Sequence, residues 1–236
     1  MSGYKHIETP EAMLWRYITL ERFYELLQSS SLHFTHPSGF EDQFEFSLPT
    51  SQIMLLNSIP GEIGIEHREF YRKTESFPIG VVCFHIRDYE DSLMWATYGS
   101  EKGVALVTKT SLILNSLRES GHTLVRMGNV NYVNYDDPEL GELNNLYDRI
   151  LHKRKFFESE REARLILVHV EDDSDRVTRT GCGFLANLES LSWIQEIVIS
   201  AALKGDIDSI REKAEKVGLN VPIRVSALSE KPPHIE

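Results

Sequence analysis

Four short segments of this chain have the pattern of β-strands with one wholly apolar face and one face that carries polar groups. Side chains alternate across a strand, so the parity of the residue number assigns each side chain to a face. The clearest segment, Ile79 to Ile86, places Val82 and Phe84 on one face and Cys83 and His85 on the other. Such strands predict a sheet with one side against a core, whose other side either meets water or lines a cleft.

The other three segments carry different polar groups on the same kind of face. These groups are Arg16 in the strand Met13 to Ile18, His33 and Thr35 in the strand Leu32 to Thr35, and Glu162 with Arg164 where a later strand begins. Arg16 lies between Leu14 and Ile18 on its face, so we expect it to be partly buried and to need a carboxylate or phosphate acceptor. If the polar faces converge, they bring a guanidinium, imidazoles and a carboxylate into one cleft.

Helical patterns are scattered between the strands rather than alternating regularly with them. Helices are predicted at Leu20 to Gln28, 51–77, Asp91 to Tyr98, Leu112 to Leu117, Leu140 to His152 and Ile207 to Val217, and further strands at Gly103 to Val107, Thr123 to Val133, Arg164 to Val170, Ile194 to Ile199 and Val221 to Val225. This order favours an α+β fold, with helices packed on a bent, mixed or antiparallel sheet, over a regular βαβ repeat. We expect a single domain over residues 1–228 and a short C-terminal tail at 229–236.

The composition is that of a globular protein, and it excludes several other classes. The 236 residues are 41% hydrophobic and 26% charged, which excludes wholesale disorder. No apolar run approaches the roughly 20 residues that cross a bilayer, and the start, MSGYKHIETPEAM, lacks the apolar stretch of a signal peptide. Cys83 and Cys182 have no CxxC spacing, which argues against a disulfide framework or a zinc cluster. A cytoplasmic protein without membrane contact is therefore expected.

The charge balance limits the partners that the chain attracts. A net charge of −11, from 36 acidic and 25 basic side chains, disfavours nucleic-acid binding driven by overall charge. A local exception is the basic run His152-Lys153-Arg154-Lys155. We interpret this run as the solvated end of a helix, with a phosphate contact as the alternative.

Histidines and carboxylates near the second strand supply donors of the kind that zinc and iron bind. However, His33 and His36 are three residues apart, which on a strand places them on opposite faces, so no metal site is predicted. Cys83 shares a face with His85, but its position in an apolar strand predicts burial. Burial disfavours a reactive thiolate, so a nucleophilic cysteine is not expected.

Six motifs occur in a fixed order along most of residues 14–170. They are LWRY (Leu14 to Tyr17), LHFTHPSGFEDQFE (Leu32 to Glu45), CFH (Cys83 to His85), LMWATYG (Leu93 to Gly99), KGVAL (Lys102 to Leu106) and KFFESEREARLI (Lys155 to Ile166). In these motifs the chain resembles a large bacterial family known as domain of unknown function 2971. That resemblance brings no reaction with it.

A second resemblance concerns chemistry. An arginine on the first strand, a later hydroxyl residue and a Glu-x-Glu pair at a strand start are similar to the arginine–serine–glutamate pattern of ADP-ribosyltransferases, here at Arg16, Thr35, Glu160 and Glu162. The usual Ser-Thr-Ser strand is absent, since Phe34-Thr35-His36-Pro37 stands in its place. The resemblance implies NAD as co-substrate, Arg16 as the grip on its phosphates, Glu162 as the catalytic carboxylate, and Glu160 and Thr35 as positioning groups. An aromatic side chain, Trp95 or Tyr98, would stack on a flat ring, and His33 and His85 would join the cofactor-binding residues.

Two functions follow from these expectations. The first is an NAD-dependent ADP-ribosyltransferase-like enzyme of a bacterial defence or toxin system. The alternative is a non-catalytic binding module, in which Arg16 grips a small anionic ligand or nucleotide and Glu162 only pairs with a neighbouring cation such as Arg164 or Lys155. Turnover that depends on Glu162 distinguishes the two.

Overall fold

The computed structural model describes residues 12–74, 77–137, 140, 145–168 and 175–230, with the side chains of residues 70–74 left aside. The strands are β1 Met13–Thr19, β2 Ser31–Thr35, β3 Ile79–Ile86, β4 Gly103–Lys109, β5 Val125–Asn129, β6 Asn131–Val133, β7 His152–Arg154, β8 Glu162–Val168, β9 Val177–Thr180, β10 Gly183–Asn187, β11 Glu196–Ile199 and β12 Ile223–Val225. The helices are α1 Leu20–Ser29, α2 Thr50–Ser58, α3 Gly61–Thr74, α4 Ser92–Met94, α5 Thr110–Glu119, α6 Leu146–Ile150 and α7 Ile207–Lys216. A π-helical turn, Trp95–Gly99, continues α4 directly.

Within the described residues, ten strands form one sheet and β6 pairs with β7 in a second, small one. The large sheet runs β12-β11-β4-β1-β3-β2-β10-β9, and β8 and β5 extend it from β3. Every pairing in it is antiparallel except that of β11 with β12. The predicted α+β fold with a mixed, largely antiparallel sheet is therefore confirmed.

The sheet forks at β3. One edge of β3 pairs with β8 along its length, from Ile79 opposite Val168 to His85 opposite Glu162. The other edge meets β1 only at its last two residues and β2 only at Val81. Both registers leave out the stretch from Val82 to Phe84, so β1 and β2 diverge and a gap lies between them.

Close packing of β2 against β3 closes this gap at one end. A Cβ atom on Gly80 would lie 2.5 Å from Cβ of Phe34, so only glycine allows the observed approach of the two strands. At the other end, Thr19 caps α1 by accepting a hydrogen bond from the backbone of Arg22, and Ser30 ends the helix in a left-handed conformation. The α1 connection thus delivers the chain from β1 to β2 across the gap.

The main core lies on the face of the sheet that carries the predicted apolar residues of β2, β3 and β8, whereas on β1 it is the face of Leu14 and Arg16 that turns to this core and Trp15 and Tyr17 that form a second cluster. Leu14, Phe34, Phe84 and Leu165 are at most 1% exposed and belong to one apolar cluster. Burying a side chain of this size contributes about 1.5–3 kcal/mol, so the apolar face fixes the register of each strand. Among the described helices, none has both the length and the apolar character to cross a membrane.

Several predicted elements differ from the observed ones. The glycine-flanked Cys182 leads into a strand, β10, that was not predicted, because its pairing with β2 is long-range and leaves no local pattern. The basic run at residues 152–155 is not a helix end, since His152–Arg154 forms β7 beside β6. Residues 141–144 of the predicted helix Leu140 to His152, residues 169–170 of a predicted strand and most of the predicted tail at 229–236 lie outside the described residues.

Candidate functional site

A cavity of about 680 Å³ lies at the gap between β1 and β2. This volume is within the roughly 300–1,000 Å³ of typical small-molecule sites. Its walls come from β1 at 15–18, β2 at Thr35, the loop at 39–45, β3 at 81–85, the turn that holds Tyr98, and the segment from β7 to β8. The polar faces of β2, β3 and β8 lie on one side of the sheet, where His85 is opposite Glu162. Arg16 lines the same cavity from the other side of the sheet, because it is Trp15 of β1 that pairs with His85, while Arg16 pairs with the core residue Leu106.

Six of the eight predicted site residues line this cavity, namely Arg16, Thr35, His85, Tyr98, Glu160 and Glu162. The other two, His33 and Trp95, lie elsewhere. The His33 ring is 3.2 Å from the Thr180 hydroxyl, on the side of β2 that pairs with β10. Trp95 is 9% exposed, packs edge-on against Tyr17 at 5.2 Å and donates its indole N–H to Glu90.

Arg16 presents a buried donor to the cavity. Its Nη1 has no hydrogen-bond partner in the described part of the chain. Burial lowers the pKa of Arg16 to about 10, so the guanidinium is still protonated at neutral pH. A buried cationic donor without a partner is costly, and an anionic ligand would remove that cost.

Glu162 is held on the opposite wall by two cations. The Lys153 ammonium lies 2.6 Å from its Oε1, and the Arg164 Nε donates to its Oε2 at 2.8 Å. Burial alone would raise the pKa of Glu162, but Arg164, Glu160 and Lys153 together lower it well below the usual range. Glu162 is 4% exposed and is ionised at neutral pH.

Lys153 is the centre of a cluster of carboxylates. Its Nζ lies 2.7 Å from Glu160, 2.6 Å from Glu162 and 3.4 Å from Glu45. Burial would lower the pKa of Lys153, but Glu162 and Glu45 raise it above its ordinary value. With 5% exposure, this lysine is an internal ion-pair residue, and its interpretation as part of a solvated helix end was wrong. The physical reason is the pairing of β7 with β6, which places Lys153 opposite Tyr132.

Arg164 completes the cluster from β8. It pairs with both Glu162 and Glu45, and its Nη1 donates to the carbonyl of Ile150 at 2.5 Å. The cluster thus contains three carboxylates, Glu45, Glu160 and Glu162, against two cations, Lys153 and Arg164. One carboxylate is in excess when all three are ionised.

Glu160 is the carboxylate on which this excess falls. Burial and the hydrogen bond with Glu162 raise the pKa of Glu160 to about 7, although Lys153 opposes the shift. Its side chain is 12% exposed. Glu160 can therefore take up or release a proton near neutral pH, unlike Glu162.

His85 ties β3 to the segment that carries Glu160. Its Nδ1 lies 2.6 Å from the Glu160 carbonyl oxygen, which can only accept, so Nδ1 is assigned the proton. Its Nε2 lies 3.5 Å from Asp91. Burial lowers the pKa of His85 below 6.5, so the imidazole is neutral at pH 7 and positions the backbone of Glu160.

Two further groups shape the mouth of the cavity. Tyr98 is 42% exposed and offers an aromatic ring to the interior, while Cys83 is exposed there, contrary to the burial expected from its strand. The cleft residues nonetheless desolvate the Cys83 thiol, and this desolvation, with the nearby Glu162, raises its pKa above the ordinary range. Cys83 is therefore protonated at neutral pH and is a poor nucleophile.

The loop at 39–45 contributes residues that were not predicted as site residues. Glu45 pairs with Lys153 and Arg164, and Asp42 pairs with Arg154 at 2.9 Å. The loop lies within the motif Leu32 to Glu45, and its alternation of aromatic and acidic residues is the only signal in the sequence for this role. In the described residues, no group of three or more His, Cys, Asp or Glu is arranged to hold a metal ion.

Comparisons with known proteins found similarity among solved structures. No family model matches the chain, and no curated protein matches it either, so the resemblance to domain of unknown function 2971 stays a prediction. Among solved structures, the chain is similar to Thermus sp. 2.9 DarT in complex with NAD+, at 8% identity and a TM-score of 0.40 over 94% of this chain and 97% of that one. The same protein in complex with carba-NAD+ is 9% identical, with a TM-score of 0.41 over 92% of this chain and 96% of that one. In complex with ADP-ribosylated ssDNA it is 10% identical, with a TM-score of 0.39 over 94% of this chain and 96% of that one. Likeness at this level establishes neither a shared fold nor a shared activity.

Proposed function

We propose that this protein is an NAD-dependent ADP-ribosyltransferase-like enzyme whose active site is the cavity between β1 and β2. One observation carries the proposal. On one wall the cavity has a buried guanidinium nitrogen of Arg16 for which the described part of the chain supplies no hydrogen-bond partner, and on another it has the carboxylates Glu160 and Glu162. A dinucleotide that carries phosphates at one point and a reacting ribose at another needs these two kinds of group.

Arg16 is proposed to bind the phosphates. Its Nη1 is desolvated before any ligand arrives, so the loss of hydration on binding is small. A guanidinium grips phosphate oxygens through two parallel hydrogen bonds, which a lysine cannot do. The Thr35 hydroxyl, which also lines the cavity, is proposed to position the same ligand.

Glu162 and Glu160 are proposed to divide the chemistry. In the transfer, the bond between ribose C1′ and the nicotinamide nitrogen breaks and its electron pair leaves with the nicotinamide, while C1′ bonds to the acceptor. Positive charge develops near C1′, and a fixed ionised carboxylate such as Glu162 stabilises it without reorganising. The proton of the acceptor then goes to Glu160, whose pKa of about 7 suits a general base.

Tyr98 is proposed to stack on a flat ring of the ligand. Its ring is exposed on the cavity wall, whereas the ring of Trp95, three residues earlier, is buried in the core. Burial raises the pKa of Tyr98, so the hydroxyl stays protonated and can donate a hydrogen bond. Of the two aromatic candidates, Tyr98 is therefore the one that the geometry favours.

The direct test is nicotinamide release. Purified protein is incubated with NAD and a cell extract, in parallel with Glu162→Gln and with Glu158→Gln as the matched control. Glu158 is exposed and lies in the same helical turn, so its substitution leaves the cluster intact. Release by the wild type and by Glu158→Gln, but not by Glu162→Gln, supports the proposal; no release by the wild type, with an active control enzyme in the same extract, contradicts it.

A second candidate is a non-catalytic module that binds an anionic ligand. It is favoured by the fact that both carboxylate oxygens of Glu162 already accept hydrogen bonds from Lys153 and Arg164, as in a purely structural ion-pair cluster. In that case ADP-ribose binds the wild type and Glu162→Gln alike, Arg16→Met loses it, and no variant releases nicotinamide.

A further inference from the structure

A lysine that contacts several carboxylates at once does more than neutralise one of them. Lys153 Nζ lies within 3.4 Å of Glu45, Glu160 and Glu162, which come from a loop, a helical turn and β8. The ammonium has three protons to donate, so each carboxylate can accept one of them. The lysine is fixed in turn by its backbone on β7 and by the Phe157 ring, 4.8 Å from Nζ.

We infer that Lys153 is a positioning residue of the proposed active site, which holds Glu160 beside Glu162 and sets how many protons this pair carries at neutral pH. The inference rests on the proposed function only for the role of Glu160 in transfer. Its structural part, the control of protonation by Lys153, holds for either candidate function and is measured without NAD.

Among the charged groups around the Glu160 carboxylate, Lys153 should have the largest effect on its protonation. The titratable groups around this carboxyl are Lys153 on β7, Glu162 and Arg164 on β8, Glu45 on the loop, Tyr98 on the π-helical turn, Tyr132 on β6, and Cys83 and His85 on β3. Arg164 contacts Glu162 and Glu45, and His85 meets only the Glu160 backbone. Lys153 is thus the cation in direct contact with the Glu160 carboxylate among the described residues.

Removal of the lysine charge has a defined consequence. In Lys153→Met, Glu160 and Glu162 face each other with only Arg164 to offset three carboxylates. The ionised form of Glu160 loses its partner, and its titration midpoint should rise by roughly 1 pH unit or more. Lys153→Arg keeps the charge, so its Glu160 midpoint should lie closer to that of the wild type, with at least half of the shift seen in Lys153→Met reversed. Lys155→Met, on an exposed lysine two residues away, should leave the Glu160 midpoint unchanged.

The experiment is a carbon-13 NMR titration of protein labelled at the glutamate side-chain carboxyls, with Glu160→Gln to assign the Glu160 resonance. A raised midpoint in Lys153→Met, restored by arginine, is the expected result. An unchanged or lowered midpoint in folded Lys153→Met overturns the inference.

A second variant keeps the inference testable if Lys153→Met does not fold. Glu45→Gln frees the Lys153 ammonium from one of its three carboxylates, so the Glu160 midpoint should fall, and an unchanged midpoint overturns the inference. Nicotinamide release is then followed against pH in the same variants. Release by the wild type with an unmoved midpoint refutes only the role of Lys153, whereas a moved midpoint without release refutes only the transferase.

Discussion

Lys153 Nζ lies 2.6 Å from Glu162 Oε1, and both side chains are buried, at 5% and 4% exposure. Neither charge is stable alone in such surroundings, because desolvation of an unpaired ion costs several kcal/mol. The pair therefore binds β7 to β8 and at the same time fixes the orientation of the Glu162 carboxylate at the cavity wall.

Removal of one partner should destabilise the protein strongly. Lys153→Met leaves three carboxylates with one arginine to offset them, and we expect a loss of about 3–5 kcal/mol in the free energy of unfolding. Lys155→Met, on the exposed neighbour, should change it by less than about 0.5 kcal/mol. Urea denaturation of both variants checks this, and equal free energies of unfolding would show that the buried ion pair contributes no more to stability than an exposed lysine does.

Substitution of Arg16 should weaken ligand binding without destabilising the fold. Because its Nη1 has no hydrogen-bond partner among the described residues, Arg16→Met should leave the free energy of unfolding unchanged or raise it. Affinity for ADP-ribose should nonetheless fall about tenfold or more, since a charge-assisted hydrogen bond contributes roughly 1.5–3 kcal/mol. Calorimetric titration measures both wild type and variant, with Arg22→Met, an exposed arginine on α1, as the control. Undiminished affinity in Arg16→Met would exclude this residue as the phosphate grip.

The pH dependence of stability should carry a signature of Glu160. Its pKa in the folded state, about 7, is raised above the 4.5 expected for the unfolded chain. The folded state therefore binds the extra proton between these values, and the stability contributed by this group falls as pH rises from about 4.5 to 7. Glu160→Gln, which mimics the protonated form, should gain on the wild type over this range by on the order of 2 kcal/mol.

The difference between the two proteins is the quantity to measure for that prediction. Burial lowers the pKa of His85 in the folded state, so the contribution of this histidine to stability rises with pH instead. Subtraction of the two unfolding curves at each pH cancels His85. A difference that stays constant from pH 5 to 8 would be inconsistent with a raised pKa at Glu160.

Substitution of the two aromatic candidates, Tyr98 and Trp95, should affect NAD binding and stability differently. Tyr98→Ala removes an exposed ring of the cavity and should weaken NAD binding with less than about 1 kcal/mol of destabilisation. Trp95→Ala removes a buried ring and should cost about 3–5 kcal/mol. Thermal unfolding and NAD titration of both variants test the assignment, and a reversed pattern would place the ligand on the other side of the turn.

Strand alternation was enough to predict most of the cavity wall. The apolar neighbours of Arg16 indicated a buried guanidinium, and the alternating pattern after Glu162 placed it on the face opposite Leu165. Both inferences are local, because the direction of a side chain depends on the strand that carries it. Alternation also gives the face of His33, but not its distance from the cavity, since β10 and β9 extend the sheet beyond β2 and the His33 ring contacts Thr180 of β9 through pairings that no local pattern indicates.

Lys153 was missed for a related reason. A run of basic residues is most often a solvated surface, and nothing in its four residues signals burial. Its position depends on two long-range contacts, the β6–β7 pairing and the carboxylates of β8 and the 39–45 loop. Trp95 and Tyr98 illustrate the same limit at short range, because the helical pattern could not tell which ring the π-helical turn directs to the core.

The cavity is proposed to break the bond between nicotinamide and ribose and to transfer the rest of NAD to an acceptor. The measurement that tests it most directly uses two preparations of NAD, one labelled in nicotinamide and one in the adenylate phosphate, each incubated with wild-type protein and cell extract. We expect the nicotinamide label to become free while the adenylate label becomes attached to an acceptor in equal amount. Retention of both labels on intact NAD, beside an active control enzyme, would contradict it.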